Sequence, residues 1–381
     1  MKKHLLAFTI LLSTLSFHAQ TTVIDSIMSG GIYRNYRLYV PAIYSGATAR
    51  PLIINMHGYT SNALQQQFYS NFGPIADTAN FLMVFPNGTK NSSGTTFWNA
   101  GIVSSVDDIG FISHLIDSLK LQYNINLNRV YSTGMSMGGF MSHTLACELS
   151  NRITAIASVT GSIFTSQYGT YCHPTRPVPV MQIQGTADAT VPYAGNASQY
   201  MEPIDTVVKY WVTKNNCNPT AAFTNMPNTS TTDNCTAEHY VYSGGNLGST
   251  VELFKIIGGT HSWPGTPFTS SGTNQDINAS KEIWRFFNKY NLASLTNIAD
   301  VEKQNLAISR YPNPAHTILN IRLDNEASLA SITITDVLGK VVLFEATASN
   351  SINIETLQAG IYFLTVKNKT NQIANVKFIK D

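Results

Sequence analysis

Short apolar segments recur along the first three-quarters of the chain, separated by turns and by stretches with helical spacing. Pro51-Leu52-Ile53-Ile54-Asn55-Met56, Phe81 to Phe85, Arg129 to Ser132, Ala155 to Val159, Val178 to Gln184 and Val251 to Ile257 read as buried strands. Tyr33 to Val40 alternates aromatic and β-branched residues and adds an earlier strand. Between them, Ile112, Leu115, Ile116 and Leu119 keep helical spacing behind a Ser105-x-x-Asp108 cap. Further helices are predicted over Met141–Leu149 and about Asn278–Tyr290. Continuous apolar strands alternating with helices predict an α/β domain with a mostly parallel sheet covered on both faces. Catalytic groups then belong in loops at the carboxyl ends of the strands.

From about Ala293 the period changes. Leu319/Ile321/Leu323, Ile332/Ile334, Ile352/Ile354 and Tyr362/Leu364/Val366 alternate with polar residues, and Pro312-Asn313-Pro314 and Leu338-Gly339-Lys340 mark turns. The predicted organisation is a leader over 1–19, an α/β domain over 20–292, a linker over 293–304 and an all-β sandwich of some seven strands over 305–381.

The leader has its own pattern. Lys2 and Lys3 precede an apolar run from Leu5 to Phe17 and then Ala19-Gln20, which reads as a secretory signal peptide too short to span a bilayer. Export makes the cysteines legible. Cys147, Cys172, Cys217 and Cys235 allow three pairings in an oxidising compartment. Cys217 and Cys235 flank an Asn/Thr-rich stretch without strand or helix period, so a local bridge is expected there, leaving Cys147 with Cys172. No Cys/His spacing suggests a metal, and none is expected. Net charge is only +2 with no basic cluster, which points away from nucleic acid and from anionic membranes.

One stretch carries the chemistry. Val130-Tyr131-Ser132-Thr133-Gly134-Met135-Ser136-Met137-Gly138-Gly139-Phe140 places Gly-x-Ser-x-Gly between a strand and a helix, the context of a nucleophile elbow. Ser136 is the predicted nucleophile. A serine hydroxyl needs a base, and the base needs an orienting acid, in the chain order serine, acid, histidine. His143 lies on the helix after the elbow, His173 comes before any suitable acid, and His239 sits in an alternating strand. His261, in Gly259-Thr260-His261-Ser262-Trp263, follows a strand and two glycines and is the predicted base. Asp188, in Gln184-Gly185-Thr186-Ala187-Asp188, is the predicted acid; Asp205 reads as a helix cap and Asp233 as a solvated loop residue. Two backbone N–H donors should form the oxyanion hole: Met137, after the nucleophile, and Tyr59, in His57-Gly58-Tyr59 at an early strand end. His57 is expected to brace that loop. Among the aromatic residues near these loops, Trp98, Tyr193 and Trp263 are expected to contact substrate. No basic residue stands beside the triad loops, which favours a neutral acyl group.

Taken together, His57-Gly58, Val106-Asp107-Asp108-Ile109-Gly110-Phe111, Gly134–Gly139, Gly185-Thr186-Ala187-Asp188 and Gly259-Thr260-His261 resemble the polyhydroxybutyrate-depolymerase/feruloyl-esterase family of α/β-hydrolases over roughly residues 25–290. That resemblance implies a secreted serine esterase, without a cofactor, acting on polymer-linked esters: feruloyl or acetyl groups on polysaccharide or, as the alternative, a polyhydroxybutyrate-type polyester. Gln184 departs from the histidine that many relatives carry there. A peptidase with the same triad logic would usually bring a propeller domain, for which the chain has no room. A non-catalytic binding protein would have no use for an intact Ser/Asp/His set. Tyr311-Pro312-Asn313-Pro314, Gly360-Ile361-Tyr362 and the final Lys377-Phe378-Ile379-Lys380 resemble a type IX secretion (Por) sorting domain, which implies delivery through the outer membrane by the type IX machinery.

Overall fold

The computed structural model describes residues 20–101, 105–168, 171–296, 308–323, 329–337, 340–345, 349–368 and 373–381. The leader predicted over 1–19 lies outside the described residues, as does most of the linker predicted over 293–304. The chain divides into two compact units, Met1–Asn297 and Ile298–Asp381.

In the first unit β1 (Thr21–Ser29) and β2 (Ile32–Val40) form a hairpin, and β3 (Arg50–Met56) follows. Helices α1 (Ala63–Ser70) and α2 (Gly73–Ala79) lead to β4 (Leu82–Pro86). A short ribbon, β5 (Thr89–Lys90) with β6 (Thr96–Phe97), precedes α3 (Asp108–Gln122). The centre is β7 (Ile125–Met135), α4 (Met137–Glu148), β8 (Ala155–Val159) and β9 (Val180–Gly185). Helix α5 (Ile204–Lys214), β10 (Ala222–Asn225), β11 (Thr236–Tyr242), β12 (Val251–Ile257) and α6 (Ala279–Phe287) complete it. Ten strands form one sheet in the order β1-β2-β4-β3-β7-β8-β9-β12-β11-β10. Pairing is parallel from β4 through β12 and antiparallel at both edges.

The predicted central strands and helices are all present. Their apolar residues fill two cores, one on each face of the sheet. Phe111 of α3, Phe140 of α4 and Trp211 of α5 belong to one, and Ala76 of α2 and Phe286 of α6 to the other. Each wholly buried large apolar side chain contributes about 1.5–3 kcal/mol. The cap of α3 differs from expectation: Asp107, not Ser105, accepts from the Gly110 amide at 2.7 Å. At the far edge, buried Glu252 of β12 accepts from His239 of β11 and from Arg285 and Lys289 at the end of α6. Burial raises the Glu252 pKa, but these donors outweigh it and hold the group at about 2. His239 is thereby structural, as its place in an alternating strand implied.

The cysteines divide. Cys147, in the last turn of α4, is bonded to Cys172, with Cα atoms 4.7 Å apart. The predicted Cys217–Cys235 bridge is not formed; both are buried free thiols. Cys217 follows α5 and belongs to the core with Trp211, whereas Cys235 enters β11 and belongs to the core with Phe254. The sheet stands between them. The stretch that separates them also contains β10, an exposed edge strand with no apolar period to announce it.

The second unit has seven described strands: β13 (Ile308–Tyr311), β14 (Ile318–Leu323), β15 (Leu329–Thr335), β16 (Val341–Glu345), β17 (Ser351–Asn353), β18 (Gly360–Asn368) and β19 (Ile373–Lys380). They pair as β13-β14-β17 and β16-β15-β18-β19, all antiparallel, around Leu319, Ile321, Ile332, Ile334, Leu364 and Phe378.

The cysteine arrangement predicts that denatured, unreduced protein titrates two thiols and that reduction exposes four. A peptide map showing Cys217 joined to Cys235 would contradict the two-core placement.

Candidate active site

Strand β7 ends by turning Ser136 into φ 54°, ψ −118°, a region non-glycine residues seldom occupy. Such strain costs on the order of 1–3 kcal/mol and persists only where its surroundings over-determine it. Here they do. The Ser136 amide donates to Val159 O at 2.8 Å, while Gly139 and Phe140 donate back to Ser136 O. A Cβ on Gly134 would lie 2.6 Å from both Met56 O and Gly138 O, and one on Gly138 would lie 2.1 Å from Met56 O. Strand β3, strand β7 and helix α4 meet there through backbone alone.

The acid and base loops meet by the same device. A Cβ on Gly185, at the end of β9, would lie 2.2 Å from Gly259 O. The Ala187 amide donates to Gly259 O at 2.9 Å, closing one loop on the other. Asp188 Oδ2 accepts from His261 Nδ1 at 2.8 Å, and Asp188 Oδ1 accepts from the Thr190 and Val191 amides, each at 2.8 Å. With Nδ1 carrying the proton, Nε2 is left as the basic nitrogen. The acids set aside are committed elsewhere: Asp205 to the Tyr193 hydroxyl, Asp233 to the Cys235 and Gln275 amides. Ser136 and His261 line one cleft without a hydrogen bond between them, the looser spacing common before substrate is bound.

The loop at the end of β3 lies against the serine. A Cβ on Gly58 would sit 3.3 Å from Ser136 Cβ. His57 is wholly buried; it donates from Nδ1 to Gly58 O at 2.7 Å and accepts at Nε2 from the Gly88 amide at 2.9 Å. Burial lowers its pKa to about 4, so the imidazole is neutral and can fill both roles. His57 braces the loop that presents the Tyr59 amide. That amide and the Met137 amide, first in α4, donate to no backbone acceptor among the described residues. The positive end of the α4 dipole points the same way.

The cleft has a volume of about 530 Å³, and its apolar wall is built by Tyr59, Leu64, Phe68, Tyr69, Met135 and Phe268. Helix α1, which carries three of these, hangs from β3 by side chains: Gln66 donates to Asn55, and Asn55 donates to Ser70. The three aromatic residues expected at the substrate are elsewhere. Trp98 is buried behind the brace and donates to His57 O at 3.0 Å. Trp263 is buried against Phe72 and donates to Ser280 Oγ. Tyr193 points its hydroxyl at Asp205, and Lys255 lies over its ring. Aromatic rings beside triad loops pack the loops down, because a loop needs its own small core. Leu64 and Phe68, four residues apart on α1 and exposed, were legible as an apolar stripe facing away from the sheet. Phe268 had no such signal.

A mostly parallel sheet between helices, with an elbow serine and a histidine–carboxylate pair at its carboxyl end, is the arrangement of an α/β-hydrolase fold. Residues 34–194 match the esterase PHB depolymerase family model. Residues 309–381 match the secretion system C-terminal sorting domain. The bifunctional acetylxylan esterase/xylanase of Neocallimastix patriciarum is 28% identical over 258 residues, covering 67% of this chain and 34% of that protein. Feruloyl esterase B of Piromyces equi is 30% identical over 231 residues, 58% of this chain and 41% of its own. The chain thus spans between a third and a half of the length of these relatives. Among solved structures, the acetyl xylan esterase from Aspergillus awamori has the same fold at 13% identity, with a TM-score of 0.51 over 70% of this chain and 99% of that one.

Because the elbow tolerates no added atom, Gly138→Ala should lower stability by about 1–3 kcal/mol. A denaturation midpoint equal to wild type would refute the close backbone approach.

Proposed function

We propose that this chain is an exported serine carboxylic-ester hydrolase working through an acyl–Ser136 intermediate on esters carried by polymers. The observation that carries the reading is the Asp188–His261 hydrogen bond set beside a strained serine in an apolar cleft. In the first step Ser136 Oγ attacks the ester carbonyl while its proton passes to His261 Nε2. The Met137 and Tyr59 amides receive the developing oxyanion, each such donor contributing roughly 10²–10³-fold. Collapse expels the alcohol with the proton from His261, and water, deprotonated by the same nitrogen, releases the acid. Asp188 stays ionised throughout and stabilises the imidazolium.

Among the residues lining the cleft, His261 is the sole titratable side chain besides two tyrosines, so a neutral acyl group fits. Tyr59, Phe68, Tyr69 and Phe268 offer ring faces worth about 0.5–1.5 kcal/mol each to an aromatic acyl group beyond area burial. This supports feruloyl or related polysaccharide-linked esters, the ester class named in the relatives above. The same apolar wall suits an aliphatic polyester, and the family match keeps that as the second reading.

Ser136→Ala should leave a folded protein and lower kcat by roughly 10⁶-fold. Methyl ferulate, acetylated xylan and amorphous polyhydroxybutyrate, compared at equal enzyme, separate the readings; cleavage of the polyester alone would replace the feruloyl reading. A peptide p-nitroanilide should be inert.

Export is proposed to run through a type IX system, supported by the sorting-domain match. A chain ending near Ala293 should hydrolyse a soluble ester normally yet remain in the periplasm of its native host. Normal export of that form, with lost adsorption to polymer, would make the second unit a binding module instead.

A further inference from the structure

Behind the Asp188 carboxylate runs a continuous line of buried polar side chains that the chemistry above does not use. It starts on α5, where Trp211 Nε1 donates to His143 Nδ1 at 3.1 Å. His143, on α4, donates from Nε2 to Gln182 Oε1 at 3.1 Å. Gln182 Nε2 donates to Gln184 Oε1 at 3.2 Å and to Gly161 O at 2.8 Å. Gln184 Nε2 donates to Asp188 Oδ2 at 3.1 Å and to Val191 O at 2.7 Å. Trp211, His143, Gln182 and Gln184 are all fully buried.

The direction of this line is forced. An indole can only donate, so His143 Nδ1 must carry the lone pair and Nε2 the proton. Burial, which lowers the His143 pKa to about 4, keeps the ring neutral and able to do both. At the other end, Val191 O and an ionised Asp188 can only accept, so the Gln184 NH₂ must face them. Gly161 O fixes Gln182 in the same sense. Each member of the line therefore donates to the next in the direction of the acid, and Oδ2 receives two donors, Gln184 and His261, while Oδ1 receives two backbone amides.

From this geometry we infer that Gln184, Gln182, His143 and Trp211 are positioning residues that set the strength of the Asp188–His261 pair. The inference rests on the triad reading given above. A hydrogen bond donated to Oδ2 disperses its charge and makes it a weaker partner for the imidazolium. The Gln184 N–H and the His261 Nδ1–H thus share one carboxylate oxygen. Among the described residues, the titratable groups around the pair and the line are Tyr59 on the β3 loop and Tyr69 on α1 across the cleft, Lys255 of β12 in register beside Gln184 and lying over Tyr193, which is bonded to Asp205, and His143 at the remote end.

Gln184→Leu keeps the volume and removes the donor. With a short p-nitrophenyl ester, its kcat should fall about tenfold, as loss of an outer hydrogen-bonding partner typically does, with KM within about twofold of wild type. The acid limb of kcat/KM should move up by about half a pH unit. Trp211→Phe should move the limb the same way by less, since it frees His143 to change tautomer. A folded Gln184→Leu enzyme with the wild-type limb would overturn the inference, because lost packing alone does not move that limb. Ring ¹⁵N shifts of histidine-labelled wild-type enzyme test the direction without any substitution: His143 should be neutral at pH 7 with Nδ1 unprotonated, and an Nδ1–H tautomer or a cationic ring would overturn it. Activity surviving in Ser136→Ala would instead sink the triad reading.

Discussion

The arrangement depends on one carbonyl oxygen, Met56 O, at the end of β3. It occupies the place a methyl group would need on either Gly134 or Gly138. That close approach lets β7 pass its serine beyond the sheet and start α4 at once, and it brings the loop after β3 against the same serine. The elbow serine, the helix N-terminus and the brace loop are therefore one packing problem, solved by the absence of two side chains. The cost of the strained φ at Ser136 is offset by packing on both faces of a sheet with very few apolar gaps.

Much of this was legible in the sequence because it concerns residues with no alternative. Buried parallel strands are mostly apolar, so β3, β4, β8 and β12 stand out. The elbow glycines cannot be exchanged, and a loop position directly after a strand singled out Asp188 and His261, which the structure joins by a hydrogen bond. Edge strands escaped notice for the opposite reason. Strands β1 and β10 bury little and carry no apolar period, and each pairs with one neighbour only. The absent second bridge has the same root. Sequence proximity suggested that Cys217 and Cys235 meet, whereas Cys217, after α5, and Cys235, before β11, belong to the cores on opposite faces of the sheet.

The substrate wall was misread through proximity of another kind. Trp263 is near His261 in sequence and Trp98 lies against His57, yet both serve the loops and not the cleft. Their indole N–H groups explain why: each finds a partner, His57 O or Ser280 Oγ, that only an interior position provides. The polar line from Trp211 to Asp188 was invisible for a related reason. It is assembled from α5, α4 and β9 and the loop after β9, and neither Trp211, His143 nor Gln182 forms a motif with a sequence neighbour.

The suspension of α1 has a consequence for how such an enzyme changes its taste. The helix is anchored by Gln66 and Ser70 on its inner face, whereas Leu64 and Phe68 project outward and bear no load in either core. Exchanges at those two positions can reshape the mouth of the cleft while the anchor, the elbow and the charge pair stay as they are. Selection for a new ester can therefore act on one helical turn, with little of the loss of folding that usually accompanies a change at a reaction centre.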